Sequence, residues 1–384
     1  MQLLRDLVIE NINKKGKITF AEFMQMVLYH PQHGYYNTDT ERVGKFGDYY
    51  TSPAVHRIFG ELIAKQLEEM WSIMGKEEFT VVELGANRGW LCYDIVQCIR
   101  KEYPRFYDNF HYIIVESNPY AREKHQLLLD EVVKNPLSDR SDGKVSWHTY
   151  SEDGFSFDKI QGCFLSNEFV DALPVHRLKV KNKILKEVYV SYNATNFYEI
   201  DDEISVSALK DYLKANKIYL KEGQEYEINL GTEEWLKHVS EKLNKGFIIT
   251  IDYGDTAEGL CCRSNTGGTV RCYYKHTINW DYYERLGEQD ITAHVDFTNL
   301  INAGRLVGLD VTGFTKQSHY LIALGVLEKL NGTHNNLETI LKVKNLFHPE
   351  GMGEVFKVLI QHKNIENPQL ISLRPLQSVT MSNS

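Results

Sequence analysis

Two carboxylates stand close together in Asn167-Glu168-Phe169-Val170-Asp171-Ala172-Leu173-Pro174. Such a pair can hold the fork of donors that a guanidinium presents, and can take or share a proton while a nitrogen nucleophile reacts. A helix-capping Asp171 and a solvated Glu168 would use the same residues. Upstream, Glu83-Leu84-Gly85-Ala86-Asn87-Arg88-Gly89 has the make-up of a strand-to-helix turn. Glycines there let backbone approach a ligand, and the open N–H groups of the next helix attract a negative group. The spacing is not GxGxxG, because Gly85 and Gly89 are four apart and Asn87 stands where a middle glycine would help. An acid before such a turn suits a cofactor that has a carboxylate but no diphosphate. S-adenosylmethionine (SAM) fits that description better than NAD, and a tight turn with no ligand is the plain alternative. Glu116, 31 residues after Gly85, can accept both ribose hydroxyls of an adenosine. It could instead cap the helix that opens at Pro119, although Asn118 can do that by itself.

Two further clusters carry weaker signals. Asp252-Tyr253-Gly254 could bring an acid and a phenol to the same cleft, though a strand end with a turn glycine explains it almost as well. Asp290-Ile-Thr-Ala-His294-Val-Asp296-Phe297 could form a His/Asp pair, or Asp290 or Thr292 could cap a helix whose Val295, Leu300 and Ile301 face the core. No GxSxG elbow, Walker A loop, HExxH or kinase catalytic loop is present. The six cysteines form no CxxC and no Cys/His cluster at zinc spacing, so neither a structural metal nor a disulfide framework is expected, and a reducing compartment is.

The elements that must position these residues alternate. Phe79 to Gly85 reads as a strand and turn, Trp90 to Lys101 as an amphipathic helix, and His111 to Glu116 as a second strand. A helix from Pro119 to Val133 and strands at Val145 to His148, Gln161 to Asn167 and Gly246 to Asp252 follow. Alternation of this kind predicts a parallel sheet covered on both faces, with ligands at the carboxyl ends of the strands. Between Pro174 and Thr232 the period changes: Ile184 to Tyr192 and Thr195 to Ile200 read as a hairpin inserted to cap the sheet edge. Helices are expected at Asp6 to Asn13, Thr19 to Leu28, Ala54 to Met74, Glu233 to Leu243 and Leu337 to Leu346, and a last strand at Gly353 to Gln361. A Gly- and Tyr-rich loop from Gly34 to Pro53 is long for a bland connection. The chain thus divides into an N-terminal helical region and loop (1–75), the first part of a Rossmann-like domain (76–174), a β-rich insertion (175–232), the rest of that domain (233–375) and a flexible tail (376–384), with a second floppy stretch at Asn135 to Lys144.

The 384 residues, 42% hydrophobic and 25% charged, suffice for a large α/β core and exclude a mainly disordered chain. With 43 basic against 52 acidic residues and no long basic run, a nucleic-acid partner is not expected. The longest apolar stretch, near Tyr320 to Leu327, is too short to span a bilayer. The opening Met1-Gln-Leu-Leu-Arg-Asp-Leu has neither a signal-peptide core nor transit-peptide composition, so a cytoplasmic location is expected.

Taken together these segments resemble the MidA-like SAM-dependent methyltransferases, a family that includes the mitochondrial complex I assembly-factor arginine methyltransferase and many bacterial relatives. The resemblance covers nearly the whole chain. It rests on His33-Gly-Tyr-Tyr36, Gly47-Asp-Tyr-Tyr-Thr-Ser-Pro53, Phe59-Gly-Glu61, Val82-Glu-Leu-Gly85, Ile114-Val-Glu-Ser117, Asn167 to Pro174, Ile251-Asp-Tyr-Gly254, Gly268-Thr269 and Asp290 to Phe297. It implies a Rossmann-like methyltransferase sheet with an added helical and hairpin region, SAM as donor, and an arginine of a protein partner as acceptor. Carried over by position, it places cofactor contacts at Glu83, Gly85, Gly89, Glu116, Ser117 and Asn167, and the acceptor acids at Glu168 and Asp171. The Thr51-Ser52-Pro53 loop would close over the cofactor. A bacterial member is expected, and a homodimer is left open.

Two departures stand out. The family usually has Pro-Gly where this chain has Ala86-Asn87, and Glu where Ala54 follows Thr-Ser-Pro. A side chain at Asn87 would either crowd the cofactor or hydrogen-bond it. That departure favours an alternative, a catalytically weak assembly or scaffold protein that keeps the fold and binds through the hairpin insertion. An NAD-linked dehydrogenase would use the same Glu116 but lacks the diphosphate turn.

Overall fold

The computed structural model describes residues 2–40, 42–44, 47–48, 51–133, 143–151, 153–263, 267–331 and 336–375, without the side chains of 130–133 and 263. The expected floppy stretch at 135–144 lies mostly outside these residues, as do the tail after Pro375 and Tyr49 and Tyr50 of the Gly47 to Pro53 stretch.

The apolar runs form the strands β1 (Phe79–Leu84), β2 (Phe110–Val115), β3 (Val145–His148), β4 (Ile160–Asn167) and β5 (Leu243–Asp255), joined in one sheet by β6 (Asp310–Lys316) and β7 (Phe356–Lys363). The order is β6-β7-β5-β4-β1-β2-β3. Strands β3, β2, β1, β4 and β5 run parallel, and β7 is antiparallel to both its neighbours. Alternate residues serve opposite faces, as a pleated strand requires. Phe79 and Val81 enter a core with the helices Ile58–Ile73, Trp90–Glu102 and Gln317–Leu324, while Val82 and Leu84 enter one with Gly231–Lys242 and Phe297–Leu306. Register aligns the carboxyl ends: Leu84 lies opposite Val115 and Ser166, and Asn167 opposite Ile251. Neighbouring strands are about 4.8 Å apart. The residues that follow, Gly85, Glu116, Glu168 and Asp252, therefore stand in one row along the sheet edge.

Several expectations need correction. The insertion does not pair with either edge of this sheet. Its strands His176–Lys181, Ile184–Tyr192, Phe197–Asp202 and Glu225–Ile228 form a separate antiparallel sheet that recruits Ile18–Thr19 from the N-terminal region, which satisfies its own hydrogen bonds. Thr19 also caps the next helix in a capping box with Glu22, so one residue ends a strand and starts a helix. The stretch at Asp290 is a strand, Asp290–Thr292, in a small sheet with Arg271–Tyr274 and Thr277–Asn279. The helix begins later, at Phe297, because Asp296 takes the N–H groups of Thr298 and Asn299 at 2.9 and 3.2 Å. Ala54 to Met74 is two helices, Ser52–Val55 and Ile58–Ile73, broken where His56 is extended. The last strand starts at Phe356 after a short helix, Met352–Val355. No helix among the described residues is long and apolar enough to cross a membrane.

Glu83 shares the Phe79 and Val81 face of β1. It is 4% exposed and accepts a hydrogen bond from the Tyr112 hydroxyl at 2.8 Å. Burial pushes its carboxyl up to about 8. Between the ordinary value of 4.5 and about 8 the folded chain therefore binds more protons here than the unfolded chain, so this group's contribution to stability falls as pH rises across that window. Glu83→Gln, which keeps an acceptor for Tyr112, is expected to flatten urea-unfolding stability between pH 5 and 8, with a gain on the order of 1–3 kcal/mol at the alkaline end. A variant that follows the wild-type pH curve throughout would contradict this.

Candidate active site

The row of strand ends opens into a cavity of about 390 Å³, within the range of about 300–1,000 Å³ typical of small-ligand sites. One end is built on β1 and β2. Glu116 accepts the N–H of Asn118 at 2.9 Å on one carboxylate oxygen and that of Asn87 at 3.3 Å on the other. The turn after β1 and the acid after β2 thus touch directly, and each oxygen keeps a lone pair for another donor. Gly85 sits over the Phe169 ring, where a Cβ would lie 3.1 Å from it. Gly89, at φ +74°, precedes the helix Trp90–Glu102, whose first N–H groups receive no side-chain cap. A Cβ at Gly89 would meet His125 at 2.9 Å, and the His125 Nε2–H donates to the Asn87 carbonyl at 2.6 Å.

The other end is acidic. Glu168 is held at φ +52°, a left-handed conformation uncommon for a glutamate, so the turn itself aims this side chain. Its Oε1 accepts the Ser52 N–H at 3.1 Å and the Asn167 amide at 3.0 Å. Withdrawal from water, with Asp171 and Asp290 adding to it, pushes the Glu168 carboxyl up to about 8 despite those donors. Asp171, buried, accepts the Tyr253 hydroxyl; burial raises its carboxyl as well. Asp290 accepts the Tyr36 hydroxyl at 2.5 Å and is pushed by burial up to about 7. Tyr29, Tyr273 and His294 complete this wall, and Tyr29 donates to the Ala172 carbonyl at 2.9 Å.

Asp252 does not line the cavity. Fully buried, it accepts the N–H groups of Phe169, Val170 and Asp171 on one oxygen at 3.3, 3.0 and 3.3 Å, and so fastens the turn that carries both acids. The roof is held from outside. Glu227 of the insertion sheet accepts from Thr269 through N–H and hydroxyl, and Gly268, at φ +69°, passes so close that a Cβ would overlap the same carboxylate.

Comparisons with known proteins agree with this architecture. Residues 62–315 match the family model described as S-adenosyl-L-methionine-dependent methyltransferase. The chain belongs to the MidA-like SAM-dependent methyltransferase family. A Drosophila melanogaster protein named as a mitochondrial protein arginine methyltransferase, an NDUFAF7 homolog, is 30% identical over 73% of this chain, which spans 65% of that relative. The human protein arginine methyltransferase NDUFAF7 is 26% identical over 95% of this chain and 84% of its own. A Burkholderia thailandensis protein solved with S-adenosyl-homocysteine bound superposes with a TM-score of 0.85, at 25% identity, covering 97% of this chain and 94% of that one. SAM is the cofactor of this methyltransferase, and its fold is the Rossmann-like sheet with N-terminal helices and an inserted hairpin.

Of the positions singled out in the sequence, Gly85, Glu116, Ser117, Glu168, Asp171, Tyr253, Asp290 and His294 line the cavity, and Asn87 joins them. Glu83, Gly89, Thr51, Ser52 and Asn167 do not. Glu83 points into the core beneath the sheet. Gly89 sets the helix start, and Asn167 and Ser52 orient Glu168. Ser52 is fully buried at the head of a short helix, with Thr51 extended just before it and making no side-chain cap, so this segment buttresses an acid where a covering loop was expected. Asn87 stands at φ +49°, a conformation that asparagine tolerates better than most residues, and it contributes to the cavity wall. The His/Asp pair does not form through Asp296, whose carboxylate takes Tyr212, Tyr226 and the helix cap. The sequence reading missed Tyr29, Tyr36, Arg271 and Tyr273, and it did not give Asp290 a place beside Glu168.

Proposed function

We propose that this methyltransferase transfers the methyl group of SAM to the guanidinium of an arginine in a partner protein. The observation that carries the reading is the convergence of Glu168, Asp171 and Asp290 on the cavity that Glu116 and the Gly85 turn share. SAM supplies an electrophilic methyl on a sulfonium. Glu116 would take the ribose hydroxyls on its open lone pairs, and the uncapped N–H groups after Gly89 would meet the amino-acid carboxylate. The acids at the far end would grip the guanidinium by charge-assisted hydrogen bonds, turn one nitrogen toward the methyl, and accept the proton released when the N–C bond forms. The names of the relatives as protein arginine methyltransferases support the same acceptor. A reducing, cytoplasmic setting suits six free cysteines.

The deciding experiment incubates the purified protein with isotope-labelled SAM and partners captured from a lysate, followed by mass spectrometry for methyl-sized additions on arginine. Label found only on lysine, on carboxylates or on small molecules would defeat the arginine assignment. Glu116→Ala is expected to weaken S-adenosylhomocysteine binding by about tenfold to a hundredfold in calorimetry, since two hydrogen bonds to a charged acceptor are lost. Unchanged affinity would remove Glu116 from the cofactor site.

A further inference from the structure

The roof strand Arg271–Tyr274 alternates like any strand. Val270 and Cys272 enter the core shared with the N-terminal helices, and Arg271 and Tyr273 face the cavity. Tyr273 lies opposite Asp290 across the small sheet, and Arg271 opposite Thr292. The Tyr273 phenol is within electrostatic reach of Arg271 and also of Asp171, Asp290 and Glu168, which puts Arg271 at the acidic end of the cavity. The other cations of the wall are engaged: Arg42 with Asp48 and Thr38, Lys124 with Asp39, and Arg88 over the Trp90 ring. Arg271 is partly buried, and apart from the strand pairing of its backbone its side chain makes no ion pair or hydrogen bond with any described residue. None of its guanidinium nitrogens is buried, so the group stays open to a ligand on the cavity wall, and its planar fork matches a carboxylate.

We propose that Arg271 binds a carboxylate of the acceptor segment, an aspartate or glutamate side chain close to the arginine being methylated. The inference rests on the acceptor reading above and extends it: the cavity would recognise a pair of opposite charges, with the guanidinium held by the acids and the neighbouring carboxylate held by Arg271. The methionyl carboxylate of the cofactor is the other source of this chemistry, but the uncapped helix start after Gly89 already offers it donors.

The test uses the full chain loaded with S-adenosylhomocysteine and fluorescein-labelled alanine-glycine peptides. Each peptide carries one arginine and a glutamate at one neighbouring position in turn, with an all-alanine control, and binding is read by anisotropy. The wild type is expected to bind at least one glutamate register about tenfold more tightly than the control. Arg271→Gln should abolish that preference while S-adenosylhomocysteine affinity stays within about twofold, and Arg271→Lys, which keeps the charge without the fork, should retain part of it. Equal binding of all peptides by the wild type, or a preference that survives in Arg271→Gln, overturns the proposal. So does a tenfold loss of S-adenosylhomocysteine affinity in Arg271→Gln with peptide preference intact, which would assign the residue to the cofactor. Labelled SAM added to the same peptides reads methylation separately. An Arg271-dependent glutamate preference without turnover would leave the carboxylate subsite standing and remove the arginine acceptor.

Discussion

Replacing Glu168 by glutamine is expected to lower kcat/KM for an arginine-containing acceptor by about 10²- to 10³-fold while leaving S-adenosylhomocysteine affinity unchanged. The substitution is nearly isosteric, and the glutamine oxygen can still accept from the Ser52 N–H and the Asn167 amide. The loss would therefore come from removing the negative charge and the proton acceptor, with the turn left in place. A pH signature accompanies it. With its carboxyl pushed up to about 8, Glu168 is largely protonated at neutral pH in the empty cavity. A guanidinium favours the ionised form, so binding expels a proton, and affinity for an arginine peptide should rise from pH 7 toward 8 and level off above it. Below pH 7 Asp290, pushed up to about 7, adds a second rise. Peptide anisotropy across this range should lose the upper slope in Glu168→Gln and keep the lower one. If cofactor affinity collapses with the peptide response intact, Glu168 belongs to the cofactor side.

The sheet was legible because its strands are buried on both faces and so read as unbroken apolar runs, each followed by polar residues. That punctuation alone brings Gly85, Glu116 and Glu168 to one edge, since a parallel sheet aligns carboxyl ends. Residues carried in from outside the sheet were not legible. Asp290 reaches the cavity through the register of a three-stranded sheet whose short strands look like helix-capping sequence, and Tyr36 meets it from 254 positions away. Ser52 acts through its backbone N–H, which no side-chain pattern reveals. Asp252 was visible as an acid at a strand end, but its direction was not. A strand-end carboxylate serves either the cleft or the next loop, and only the fold of the 168–171 turn around its oxygen decides which.

That choice makes Asp252 a position where stability and activity should fall together. Three backbone N–H groups converge on one of its oxygens, and its other oxygen accepts the Tyr253 N–H at 2.9 Å. Asp252→Ala removes every one of these acceptors from a fully buried site too tightly closed for bulk water to replace them. A loss on the order of 3 kcal/mol in unfolding free energy is expected. The released turn would no longer hold Glu168 at φ +52°, and a displacement of about 1 Å can cost about 10²-fold in rate, so methyl transfer should fall by at least that factor. Asp252→Asn separates the causes. Its amide oxygen can still accept from the turn, so it should retain most of the stability and a measurable rate, even though it carries no charge. Urea unfolding and steady-state methylation of both variants check this. Equal damage from alanine and asparagine would contradict the acceptor role, because the turn amides need an acceptor oxygen, which asparagine keeps and alanine lacks.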